Sequence, residues 1–87
     1  MLHELKTWPS AFDAVLAEIK THEVRKNDRD FKIGDLLKLQ EYDMGKQAYS
    51  GRWTVVEVSY VTPGGTFGVP DDMVVMSIRR PITPHDV

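Results

Sequence analysis

Lys20-Thr21-His22-Glu23-Val24-Arg25-Lys26-Asn27-Asp28-Arg29 is the densest polar segment of this chain. An apolar pattern of helical spacing precedes it, and a run of short strand-like segments follows. Strand alternation over residues 21–26 puts Glu23 and Arg25 on one face and His22, Val24 and Lys26 on the other. A strand entering a small core normally carries two or three large apolar residues on one face. Here only Val24 is apolar, so these residues answer to something besides packing.

Upstream, Phe12, Val15, Leu16 and Ile19 fall at i, i+3, i+4 and i+7 and form one apolar stripe. Alanines between them raise helix propensity. Pro9 suits the first turn, where its missing N–H costs nothing. Ser10 with Asp13 offers a weaker capping pair. The pattern predicts a helix over 9–19, after a short strand over 2–6.

Downstream, residues 27–30 read as a polar loop whose Asn and Asp can bond their own backbone. Gly34 can take a positive φ just before Asp35. Strands are expected over 36–42, with Leu37 and Leu39 inward, over 53–61 and over 73–78. Residues 43–50 are expected as a loop. In the longest strand Val56, Val58 and Tyr60 share one face, and Trp53, Val55 and Val61 the other. Thr62-Pro63-Gly64-Gly65 is a turn cluster. Residues 81–87, with Pro81 and Pro84, read as a flexible C-terminal tail. The order β-α-β-β-β-β predicts one α+β, mainly β domain over 1–80, a small mixed or antiparallel barrel with one packed N-terminal helix.

A chain of 87 residues without cysteine has no disulfides and no thiolate metal site. His3 and His22 lack paired ligand spacing, so no metal and no cofactor is expected. The apolar runs fall far short of the roughly 20 residues that span a bilayer. No basic-then-apolar leader opens the chain. A cytoplasmic protein with no membrane partner is expected, and a monomer is favoured. The net charge of −2 excludes a global basic field. Residues 20–32 nevertheless carry a local excess of +2, enough for modest phosphate contact but not for the heavy footprint of a duplex-DNA binder.

Each candidate residue has two readings. Lys20 is a phosphate contact or catalytic amine, or else a solvated lysine favoured by a helix C-terminus. Glu23 and Arg25 form a structural ion pair, or Arg25 reads a phosphate or base edge while Glu23 accepts from an exocyclic amine. Trp8, Tyr42 and Trp53 could stack a base. Trp53 reads as core or barrel lid and Trp8 as a staple beside Pro9.

Ile19-Lys20-Thr21-His22-Glu23-Val24-Arg25, following an amphipathic helix, resembles the signature G-x-K-x-x-E-x-R of the ASCH domains, small β-barrels of the PUA-like superfamily. Gly34-Asp35 before Leu36-Leu37-Lys38-Leu39 is similar to that superfamily's barrel-entry turn. His3 to Lys6, Arg25 to Phe31, Glu41-Tyr42 and Met73 to Ile78 together resemble the narrower DUF3850 family, met in bacteria and their phages. The signature's Gly is missing: the chain reads Ala17-Glu18-Ile19-Lys20, which would let the helix run a turn further.

The resemblance implies a PUA-like barrel with a cleft between the helix and the first strands, where ASCH domains are thought to bind RNA or nucleotides. Some short ASCH proteins are amidohydrolases that deacetylate N4-acetylcytidine with a Lys, a Thr and a distant Glu. Lys20 matches the Lys and Arg25 the signature Arg. Glu23 stands where those enzymes carry the Thr, and both Glu41 and Glu57 are available for the distant Glu. The expectation is a module binding RNA or a modified nucleotide, with Lys20, Glu23 and Arg25 lining the site, Lys6 and Arg29 flanking it, and Trp8 or Tyr42 as a flat wall. The alternatives are an amidohydrolase using Lys20 and Glu23, or a phage or mobile-element protein-interaction module.

Overall fold

The computed structural model describes residues 1–81. Its elements are β1 (Leu2–Thr7), α1 (Pro9–Leu16), β2 (His22–Lys26), β3 (Leu36–Asp43), β4 (Ala48–Thr62) and β5 (Met73–Arg79). The strands form one sheet in the order β1-β3-β4-β5-β2. β1 runs parallel to β3, and every other neighbour is antiparallel. The mainly β expectation with a single N-terminal helix is met. The tail expected over 81–87 lies, but for Pro81, outside the described residues.

Alternation explains which side each strand buries. His3, Leu5 and Thr7 of β1, Leu37, Leu39 and Glu41 of β3, and Val74, Met76 and Ile78 of β5 are buried, and their neighbours in sequence are less so. The concave face so formed holds the core of Leu5, Leu37, Leu39, Val56, Val58, Val74, Met76 and Ile78, capped by Val15 and Phe31. The sheet curls until its edges, β1 and β2, face each other. They share no backbone ladder, so the fold is a half-barrel with an open seam rather than a closed barrel.

Two irregularities in β4 set its twist. The register with β5 slips by one between Val58 and Tyr60, leaving Ser59 without a partner. The slip reverses the alternation, so Val61 packs on the core and Tyr60 is exposed. That corrects the expectation that Tyr60 shares the face of Val56 and Val58. Against β3, Gln40 pairs with Trp53 but Tyr42 pairs with Tyr49, so Ser50, Gly51 and Arg52 all stand opposite Glu41. Gly51, at φ 94°, makes this bulge possible. The loop expected over 43–50 is therefore a tight hairpin, with β3 reaching Asp43 and β4 starting at Ala48. Trp53 is exposed under the Lys38 ammonium, 4.6 Å from the ring centre, and is neither core nor lid.

The helix is shorter than its apolar stripe. Pro9 opens it, and Trp8 is the N-cap, its carbonyl accepting from Phe12 N at 2.8 Å. Glu18 takes a left-handed φ of 59°, and the amides of Ile19 and Lys20 both turn back to Ala14 O. The missing signature Gly does not lengthen the helix: Glu18 adopts the conformation a Gly would take. Phe12 and Val15 are buried, whereas Leu16 is 47% and Ile19 80% exposed, because the chain has left the helix before Ile19 can face the sheet.

The far end of the half-barrel is closed by Asp35. Its carboxylate accepts from His3 Nε2 at 2.8 Å, from Lys32 N at 3.1 Å and from the Met1 amino group at 3.2 Å. Gly34, at φ 93°, turns the chain so that its own N–H reaches Val58 O and Asp35 O receives Val58 N. The Gly34-Asp35 turn is thus the tie between β1, β3 and β4.

Candidate functional site

The seam between β1 and β2 is crossed by side chains instead of backbone bonds. Arg25 on β2 donates through Nη2 to Thr7 Oγ1 on β1 at 3.3 Å. Arg29, in the loop after β2, donates through Nη1 to Glu4 O at 2.8 Å. Glu23 and Arg25 share the inner face of β2, as the alternation requires, and Arg25 Nε donates to Glu23 Oε2 at 3.2 Å.

Lys20 reaches the same cluster from the turn after α1. Its Nζ donates to His22 O and stands 3.5 Å from Glu23 Oε1. Glu23 is only 4% exposed, and its Oε1 accepts no hydrogen bond among the described residues. The Lys20 ammonium at that distance offsets the charge without filling the lone pairs. A buried acceptor left open in this way is costly and is rarely kept without a use. Lys20, Glu23 and Arg25 line one cavity of about 350 Å³ together with Lys6, Thr7 and Trp8. The Trp8 ring, at the helix entry, is 63% exposed at its mouth.

A second cavity, of about 420 Å³, opens on the other side of Arg25. Lys6, Lys26, Arg29 and Tyr49 line it, with Glu4 and Asp28. Of the residues expected at the site, Lys6, Trp8, Lys20, Glu23, Arg25 and Arg29 therefore come together along the seam.

Tyr42 does not join them. It lines neither seam cavity, because its ring packs edge-on against Tyr49 at 5.0 Å, and Lys6 Nζ sits 4.4 Å above it. Tyr49 lines the second cavity in its place, brought there by the hairpin between β3 and β4. Thr7 and Lys26 were also missed. Thr7 reads as the end of a strand, and only the curl of the sheet brings it to Arg25.

The two carboxylates left open by spacing are now distinguished. Glu57 is paired with Arg79 at 2.7 Å, away from the seam. Glu41 is buried at the register position beside Thr7. Ser50 Oγ donates to it at 2.6 Å and Arg52 Nη1 at 3.4 Å. Arg52 also reaches Asp13 of α1 at 3.2 Å and covers the Phe12 ring, so Glu41 anchors the clamp that holds the helix to the sheet.

No group of three or more metal-ligating side chains occurs among the described residues, and His3 is engaged with Asp35 instead. No helix among them is long and apolar enough to cross a membrane.

Comparison with known proteins gives a consistent picture of kinship. An Escherichia phage P2 protein, described as an "Uncharacterized 12.9 kDa protein in GpA 3'region", is 38% identical over 61 residues, covering 70% of this chain and 54% of that protein. The chain thus spans about half the length of that curated relative. The family model "Domain of unknown function (DUF3850)" matches residues 2–78, so the chain belongs to the DUF3850 family.

Proposed function

We propose that this chain is a PUA-like, ASCH-type module that binds RNA or a modified nucleotide in the β1–β2 seam. The observation that carries the reading is the meeting of Lys20, Glu23 and Arg25 in one cavity, with Glu23 Oε1 buried and unbonded. An exocyclic amine or ring N–H of a base would satisfy that oxygen once the carboxylate turns toward the cavity, since Oε1 has essentially no exposed surface in this conformation. The exposed Trp8 ring offers a stacking platform at the mouth. Lys6, Lys20, Arg25 and Arg29 supply the cations a phosphodiester needs.

The amidohydrolase reading has less support. It needs a further carboxylate beside Lys20. Glu41 is spoken for by Ser50 and Arg52 and lines neither seam cavity, and Glu57 is paired with Arg79.

Fluorescence anisotropy of a labelled single-stranded RNA over a salt series tests the proposal. Two or three phosphate contacts would give a log–log slope of about −1.4 to −2.1. A flat salt dependence, or no binding at low salt, would remove a nucleic-acid backbone as the ligand.

A further inference from the structure

The two cavities of the seam differ in chemistry. Lys6 and Arg25 wall both, so they adjoin. The one beside α1 offers the Trp8 ring and Val24 as an apolar wall, with Glu23 among its lining residues, the carboxylate whose Oε1 is buried and unbonded. The other adds Lys26 and Arg29 to the two shared cations, against Glu4 and Asp28. Lys26 makes no ion pair among the described residues. Arg25 spends Nε on Glu23 and Nη2 on Thr7, which leaves Nη1 without a hydrogen bond.

The backbone adds donors on the same side. Thr21 O accepts from Ile78 N, and Asn27 N donates to Asp72 O, so odd-numbered residues of β2 turn their peptide groups toward β5. Peptide groups alternate along a strand, so Lys26 turns its N–H to the seam. On β1, Met1 O accepts from Leu36 N of β3, while Glu4 O meets Arg29 across the seam. Lys6 has the parity of Glu4 and turns its N–H the same way. Two edge amides and four cations thus face one cavity beside the carbonyls of the same residues, and the cations outnumber the carboxylates of Glu4 and Asp28, a balance that favours a phosphate.

From this we infer that the seam is a two-compartment site for a phosphorylated nucleotide, with the base beside Trp8 and Glu23 and the phosphate beside Lys26 and Arg29. The inference rests on the nucleotide reading above and narrows it: a free nucleoside would fill only the compartment next to α1. Arg25, in the wall between the two, would contact both parts of the ligand.

Isothermal titration of the whole chain with cytidine, its 5′- and 3′-monophosphates and inorganic phosphate decides the matter. At least one monophosphate should bind about tenfold or more tightly than cytidine, and inorganic phosphate should bind more weakly than that nucleotide. Lys26→Glu, at an exposed position, should bring the better monophosphate to within about threefold of cytidine. Equal affinity for cytidine and both monophosphates in the wild type would overturn the inference while leaving the nucleotide reading standing. So would a Lys26→Glu chain that keeps the full advantage. Inorganic phosphate binding as tightly as either nucleotide would overturn it as well, since the base compartment would contribute nothing. Binding of none of the four probes would remove the nucleotide reading itself and this inference with it.

Discussion

Arg25 of β2 and Thr7 of β1 are joined by a 3.3 Å hydrogen bond between two strands that share no backbone ladder. The same guanidinium holds Glu23, so Arg25 is both the bridge across the seam and the counter-charge of a buried carboxylate.

Removing Arg25 should therefore cost stability as well as binding. In Arg25→Ala the Glu23 carboxylate keeps only Lys20, and the seam loses one of its two crossings. A loss of about 1–3 kcal/mol is expected from leaving a buried acceptor without its donor. Arg25→Lys should recover part of the stability but little of the affinity, because an ammonium cannot bond Glu23, Thr7 and a ligand in one plane. Urea melts beside RNA anisotropy measure both. Full affinity in Arg25→Ala would place the ligand elsewhere.

Lys20→Arg separates binding from turnover. Where Lys20 only supplies charge beside Glu23, the arginine chain should keep much of its affinity. Where Lys20 moves a proton or attacks, arginine cannot replace it, and acetate release from N4-acetylcytidine should vanish while binding survives. The expected result is no acetate release from the wild-type chain and near-normal binding by the variant. Turnover by the wild type that Lys20→Arg abolishes would reinstate the amidohydrolase.

The Asp35 carboxyl should govern acid stability. Burial pushes its pKa up, but the bonds from His3, the Lys32 amide and the Met1 amino group together outweigh burial and hold it below the ordinary value of 3.8. The folded state then binds the Asp35 proton less readily than the unfolded chain does. Its contribution is fully present above the ordinary aspartate value and is lost as pH falls through the lower folded one. Urea melts between about pH 2 and pH 6 should show stability falling toward the acid end. Asp35→Asn should be less stable at neutral pH and should flatten that limb. An acid limb of unchanged steepness in the variant would assign it to other carboxylates.

The helix divides into a buried half and an exposed half, and substitutions should report it. Phe12, at 1% exposure, should cost about 3–5 kcal/mol when cut to Ala. Leu16→Ala should cost under about 1 kcal/mol, since the side chain is already half in water. Glu18→Gly should stabilise the chain by about 0.5 kcal/mol: relief of a left-handed φ outweighs the added freedom of the unfolded state. Chemical denaturation of the three variants orders them. A Leu16 loss approaching that of Phe12 would mean that the helix packs on a different face.

Local chemistry was enough to read much of this. Strand alternation placed Glu23 and Arg25 together on β2, because side chains on a strand repeat every two residues whatever surrounds them. Pro9 marked the helix start and Gly34-Asp35 the turn into β3, because each rests on a conformation the residue itself prefers. The DUF3850 resemblance drew on the same short motifs, and the family match over residues 2–78 agrees with that part of it. Helical periodicity overran its mark at Leu16 and Ile19, since apolar spacing continues past a point where one left-handed residue, Glu18, turns the backbone away. Tyr60 was assigned to the wrong face because one unpaired residue, Ser59, reverses the alternation, and nothing in Val58-Ser59-Tyr60 announces a bulge. The seam lies furthest beyond local reach. Thr7, Tyr49 and Lys26 meet Arg25 and Lys6 only because β1 and β2, first and last across the sheet, are curled toward each other. That proximity depends on the register and twist of all five strands at once, a property of long-range pairing that no window of neighbouring residues contains.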